Sequence, residues 1–591
     1  ELVAKGRDPR DVWAFVQRIC GVCTSTHAIA SLRSVEDALG IQIPKNANYI
    51  RNIMHSCLDA HDHIVHFYHL HALDWVSPIE ALKADPVQTA ALQETVLKNY
   101  NLSGLEPAET QSTSSAYPKE FPKGNATYYA AIQAKVKKIV DSGQLGIFAA
   151  QWWDHPDYQL LPPEVHLMGV AHYLNILDRQ RDIVTPHVVF GGKNPHPHFC
   201  IGGMPCSISM DDMNAPVNAA RLATVDESIS LAKDLVNYFY VPDVLAIGQI
   251  YAKAGMVDGG GLSKKRAMAY GDYPDEPYSG ISNGDYFKKI LVRANGVVED
   301  FGLGVDKAKF IPMDGPDLMN PDFLSEEVEH SWYEYPNGTK TAHPSEGITK
   351  PNYTGPKTGT KEHWEFLDET KKYSWIKSPT FKGKACEVGP LATYIVVYTK
   401  VKQGIISNPS WAEQMIVKQI DTVSSVLSVP AHVWMCSTVG RTACRALDAQ
   451  VAVNMSQYMF NKLVANIKGG DEVVADMSKF DPNSWPKEAK GVGVLDAPRG
   501  ALGHWSVIKD AKIDNYQCIV PSTWNACPKT MANEHGAYES NMIDTHVKIA
   551  DKPLEILKGI HSFDPCLACA THLYNKKGEK IVSVNTDALC K

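Results

Sequence analysis

No stretch of this 591-residue chain approaches the roughly 18 consecutive apolar residues that a membrane-spanning helix requires. The longest apolar runs, such as the one from Ala392 to Tyr398, are only strand-length. There is no basic block, aromatic ladder, low-complexity tract or internal repeat. A net charge of −8 spread over this length predicts neither a nucleic-acid surface nor an acidic tail. Cysteine is sparse and odd in number, 13 in all, which argues against a dense disulfide framework. A charged-then-apolar leader is also absent. The chain opens at Glu1 rather than Met, however, so an upstream segment is expected and no export route is excluded.

What is present is ordinary globular material, 44% hydrophobic and 21% charged, enough for a large core. Four of the cysteines are not scattered. Cys20 and Cys23 are followed by His27, and Cys566 and Cys569 by His572. The halves lie 543 positions apart (566 − 23), whereas a zinc ribbon separates its pairs by roughly 15–20 residues. If they share a metal, the fold must bring both ends of the chain together. Length alone suggests about four domains at ~150 residues each. A site built from both ends argues instead for one interwoven body. Spacing says four-cysteine metal site or iron–sulfur cluster and does not choose nickel over zinc. Arg499, Asp564 and His27 stand close to these motifs, company that an inert structural zinc does not need. The nine remaining cysteines read as small buried hydrophobes.

Taken in order, residues 8–40 predict two helices broken at Gly21, which puts the first cysteine pair in a turn where backbone amides can face a metal. Residues 48–75 predict the strongest helix, buried on most sides. It carries His55, His61, His63, His66, His69 and His71 with Asp59 and Asp62. Two readings of these polar groups precede a second metal on His63/His66 or His66/His69: hydrogen bonding between packed helices, and a contribution of Asp62 to the main site. Helices and Pro/Gly loops alternate over 84–180. The glycine pairs around Lys193 lack the phosphate-loop order and read as a tight loop. Short strands and loops are expected over 255–380, and helix again over 410–470. The fold class is mainly α: a large multi-helix bundle core (about 1–250 and 400–572) with an α+β elaboration at about 255–400.

The two cysteine motifs, with GQLGIF at 143–148, GGKNPHP at 191–197, EVGPLA at 387–392, STVGR at 437–441, APRGALGHW at 497–505 and VPSTWN at 520–525, resemble in order the large subunit of [NiFe]-hydrogenases. The resemblance covers nearly the whole chain and is strongest to the membrane-associated respiratory uptake branch. It implies reversible heterolytic cleavage of H2. Cys20 and Cys566 would be terminal nickel ligands. Cys23 and Cys569 would bridge nickel to an iron carrying two cyanides and one carbon monoxide. Pro498, Arg499 and Ser522 would wall the pocket and contact the diatomic ligands, Asp62 and Asp564 would flank the arginine, and His27 would donate to a bridging thiolate. The terminal thiolate of Cys566 and the guanidine of Arg499 compete as proton acceptor. Glu1, the carbonyl of Cys518 and His572 would hold Mg²⁺ or a similar ion.

The same resemblance implies an Fe–S small subunit in one or two heterodimers, since no cluster-type cysteine set remains here. It also implies a membrane cytochrome b or quinone-linked acceptor, metal-insertion chaperones and a maturation endopeptidase. The expected location is the periplasmic side of the cytoplasmic membrane, reached through a partner with a twin-arginine signal. Two departures stand out besides the expected upstream segment, which would carry a RIEGH-type motif. Asp496 occupies a position where many members have glutamate, which puts a side-chain hydrogen bond in doubt. Residues 573–591 look like an extension removed after His572, making this a precursor. The rivals are a scaffold stabilised by four-cysteine zinc and a respiratory-complex core subunit without hydrogenase activity.

Overall fold

The computed structural model describes residues 1–112, 124–144, 158–255, 258–355, 368–566, 570–574 and 580–585, the last two segments as backbone only. Most of GQLGIF and the whole of Cys569 lie outside the described residues. The structure is 50% helical with 13% strand. Among the described residues no helix is long and apolar enough to cross a membrane.

Helix α1 (Val12–Val16) runs into a single 3-10 turn, and α2 (Thr24–Leu39) follows, so Cys20 and Cys23 lie in the break between them. Helix α3 (Lys45–Val65) continues as a π-helical turn, His66–His71, a form that often marks functional sites. The longest helix is not this one. It is α5 (Thr438–Lys468), 31 residues, which follows α4 (Pro390–Lys402) and packs along α3. The strand-length run Ala392 to Tyr398 lies inside α4, buried throughout. Its β-branched residues are tolerated in a helix because every face of α4 is covered.

Short antiparallel strands occur between Arg266 and Phe381. The longest sheet, however, lies late in the chain, within the span read as helical core: β1 (Glu488–Ala497), β2 (Gly500–Lys509) and β3 (Lys512–Ile519), in that order. It packs on α2. A Cβ on Gly493 would fall 1.9 Å from the Ala30 carbonyl oxygen, so only glycine lets β1 lie directly on the helix backbone. The final β1–β2 pair is Ala497 with Gly500, leaving Pro498 and Arg499 as a two-residue hairpin turn. Gly500 takes φ 115°, which closes that turn. Helix α6 (Leu554–His561) leads into the second cysteine motif, followed by a hairpin of β4 (Ala570–Tyr574) and β5 (Lys580–Asn585).

Candidate metal centre

The ligand atoms of Cys20, Cys23 and Cys566 all lie within 4.8 Å of one another. Two ends of the chain therefore meet at one point. The amides of Val22 and Cys23 both donate to Cys20 Sγ at 3.3 Å, as the break between α1 and α2 allows. Hydrogen bonds from the Cys23 and Cys566 thiols hold Cys20 far below the usual thiol range. The same contact with Cys20 raises both neighbours, Cys566 to about 11. Ionising one of three sulfurs this close disfavours ionising the others; a soft cation among them would let all ionise. The donor set fits a thiophilic metal. Its fourth sulfur, on Cys569, is outside the described residues.

Arg499 reaches this cluster from the hairpin apex. Its Nε donates to the Asp564 carbonyl at 2.8 Å, Nη2 to Asp564 Oδ1 at 2.9 Å, and Nη1 to Asp62 Oδ2 at 3.5 Å. Asp564 takes a left-handed backbone, φ 57°, and the double contact pins it there. Burial alone would lower the Arg499 pKa, but Asp564, Cys566, Asp62 and Cys23 outweigh it and raise it further. The guanidinium stays charged, which disfavours it as a proton acceptor. Pro498 is fixed by its carbonyl, which accepts from Arg445 Nη1 at 2.6 Å. Ser522 is buried in a short helix, Pro521–Asn525, packed on β2. His27 is buried, pushed down to about 4 by desolvation, and feels the charges of Cys20 and Arg499.

Several residues here escaped the sequence reading. Arg445 holds the Pro498 and Ser562 carbonyls and stands 3.8 Å from Asp564 Oδ2. Arg441 bridges Glu387 (2.8 Å) to the Ser562 hydroxyl (3.1 Å) and lies over the Phe563 ring at 3.8 Å. EVGPLA and STVGR thus clamp the second cysteine motif from behind. In the sequence Glu387 and Arg441 are marked only as members of EVGPLA and STVGR, with no role attached, and Arg445 is not marked at all.

Glu1 lies elsewhere. Its carboxylate accepts from the Thr349 amide (2.9 Å) and hydroxyl (2.7 Å). Thr349 also meets Lys377, which pairs with Glu326, itself bonded to Gln517. The half-buried Cys518 thiol is raised to about 11 by desolvation and feels Glu326 and Lys377 nearby. Glu1 and Glu326 are thus linked through Thr349 and Lys377; the His572 side chain is outside the described residues.

The histidines of α3 and its π turn bond to neighbouring elements: His55 to Asp272 (2.7 Å), His63 to Asp448 (3.0 Å), His66 to the His561 carbonyl (2.7 Å). This is the first of the readings given above, hydrogen bonding between packed helices, and not the second metal ranked last. Another set, His71, Asp74 and His561, does converge. Its N···O contacts of 2.8 and 2.7 Å are hydrogen bonds. Ligands around one tetrahedral ion at ~2.0–2.1 Å would sit roughly 3.3 Å apart. The shorter Asp496 still accepts from the Tyr270 and Gly271 amides (3.0 and 2.8 Å) and from the Thr393 hydroxyl (3.3 Å).

Comparison with known proteins agrees with this geometry. The family model described as nickel-dependent hydrogenase matches residues 1–572. The chain is 45% identical to the hydrogenase-1 large chain of Escherichia coli (strain K12) over 587 residues, 99% of this chain and 90% of that one. It is 46% identical to the uptake hydrogenase large subunit of Rhizobium leguminosarum bv. viciae over 588 residues, with the same coverages. The reduced Ni-Fe-Se hydrogenase of D. vulgaris Hildenborough superposes with a TM-score of 0.63 at 26% identity, covering 96% of this chain and 90% of that one. The chain belongs to the nickel-dependent hydrogenase family, as its catalytic large subunit.

Proposed function

We propose that this subunit cleaves H2 heterolytically at a nickel–iron centre held by Cys20, Cys23, Cys566 and Cys569, with electrons leaving through Fe–S clusters of a small subunit. The observation that carries the reading is the convergence of three sulfurs from opposite ends of the chain beneath Arg499. When bound, the centre supplies the Lewis acidity that polarises H2 and the redox capacity that accepts its electrons. The chain's own residues supply the rest. The Cys566 sulfur, exposed where its two neighbours are not, takes the proton. Arg499, kept charged by Asp62 and Asp564, is a fixed cationic wall over the sulfurs. Pro498 and Ser522 line the same wall, and His27 donates to a thiolate.

Glu1, the Cys518 carbonyl and His572 hold a magnesium-type ion. Residues 1–572 form one body, and 573–591 are removed by an endopeptidase after metal insertion. The complex works on the periplasmic face of the cytoplasmic membrane, linked through its small subunit to a cytochrome b or quinone-linked acceptor. A zinc-stabilised scaffold and a hydrogenase-inactive core subunit are not favoured, given full-length relatives named hydrogenase large chains. Hydrogen-dependent dye reduction by the purified complex tests the reading. Cys566→Ser and Cys20→Ser should each abolish it and lose nickel; retained turnover in either variant would refute the assignment.

A further inference from the structure

One buried hydrogen-bond chain ends on a residue of the site and is used by nothing described so far. His504 on β2 pairs with Cys518 and Tyr516 on β3 pairs with Ser506, so His504 and Tyr516 are diagonal neighbours across the sheet. His504 Nδ1 is 2.6 Å from the Tyr516 hydroxyl, and His504 Nε2 is 3.1 Å from His27 Nδ1. His27, His504 and Tyr516 are 3%, 0% and 2% exposed, so bulk water does not compete for these bonds. Both rings are buried and bonded only to each other and to a phenol, so each is neutral, with one N–H and one lone pair.

Two proton orders satisfy this chain. In one, Tyr516 donates to His504 and His504 donates to His27, leaving His27 protonated at Nε2. In the other, every bond is reversed and His27 turns a bare lone pair outward. The proposed role of His27 decides. Its Nδ1 is taken by His504, so a His27 that donates to a thiolate does so from Nε2. A lone pair turned to a thiolate is repulsive, whereas an N–H is a charge-assisted donor.

We propose that Tyr516, acting through His504, is a positioning residue that fixes His27 as its Nε2–H tautomer and so presents a donor to the cysteine cluster. The proposal rests on reading those cysteines as ligands of the nickel–iron centre. Without the donor, the thiolates carry more electron density and tune their metals differently.

The test uses the complete large–small complex, checked for nickel and measured by infrared spectroscopy and redox titration. Tyr516→Phe and His504→Leu should each lower the iron-carbonyl stretch and the midpoint potential in the same direction as His27→Leu. His504→Gln, which can accept from Tyr516 and donate to His27, should return both towards wild type. Unchanged bands in nickel-replete Tyr516→Phe would overturn the proposal; that variant removes one oxygen and decides the matter if His504→Leu does not accumulate. A shift in His27→Leu alone would sink the relay and leave the metal reading intact. A wild-type complex without nickel or carbonyl bands would remove the metal reading itself.

Discussion

Arg499 owes its role to three separate constraints. The hairpin turn places it at an apex, Asp564 takes two of its donors, and Asp564 with Cys566 and Asp62 favours its charged form. A lysine could keep the charge, but it cannot donate at once to the Asp564 carbonyl, the Asp564 carboxylate and Asp62. Arg499→Lys should therefore lower hydrogen-dependent dye reduction about 100-fold or more while nickel stays bound. Near-wild-type turnover in a nickel-replete variant would show that the guanidinium fork is dispensable. Arg499 and Asp564 were legible as residues of unusual company beside a cysteine motif. Asp62 was legible only through resemblance, because 437 positions separate it from Arg499. Arg445 was not legible, since one arginine in a long helix carries no sign of the carbonyls it will hold.

At the scale of elements, the β1–β2 hairpin is held to α2 by the absence of side chains. Gly493→Ala would put a methyl group against the Ala30 carbonyl and the Ser34 amide. The expected cost is about 1–3 kcal/mol, read as a lower melting temperature, with activity lost as Arg499 is displaced. An unchanged melting temperature would mean that the hairpin has room to shift. Helix α6 offers a pH test. Burial lowers Lys558 to about 7 although Asp74 and Glu555 oppose the shift, and its amine bonds to the Tyr251 hydroxyl at 2.9 Å. Between pH ~7 and ~10.4 the unfolded chain then binds more protons than the folded one, so stability rises with pH through that window. Lys558→Met should flatten the rise, seen in melting temperatures at pH 7 and 9.5. An identical slope in both proteins would contradict the shift. The helices bearing the cysteine break and the histidines followed from apolar spacing and Gly21. The 488–519 sheet did not, because β2 is buried along nearly its whole length and shows no alternation. The run in α4 has only the length of a strand and lies in a helix, since a short apolar segment fits a buried helix as readily as a strand.

For the whole molecule, the fold's task is to close a chain on itself. Cys20 and Cys566 lie 546 positions apart (566 − 20) yet share one cluster, with α6, Arg441 and Arg445 holding the later motif in place. Sequence spacing alone could require this meeting but not describe it, because clamps formed by Glu387 and Ser562 exist only after folding. If closure follows removal of 573–591, the mass of this chain in the active complex should end at His572. An active, nickel-loaded chain of full length would contradict that order. Metal analysis of the purified complex, together with its hydrogen-dependent dye reduction, tests the nickel assignment most directly. One nickel per large subunit is expected, with turnover that disappears when that nickel is removed. Stoichiometric zinc without nickel, or hydrogen turnover in a nickel-free complex, would contradict it.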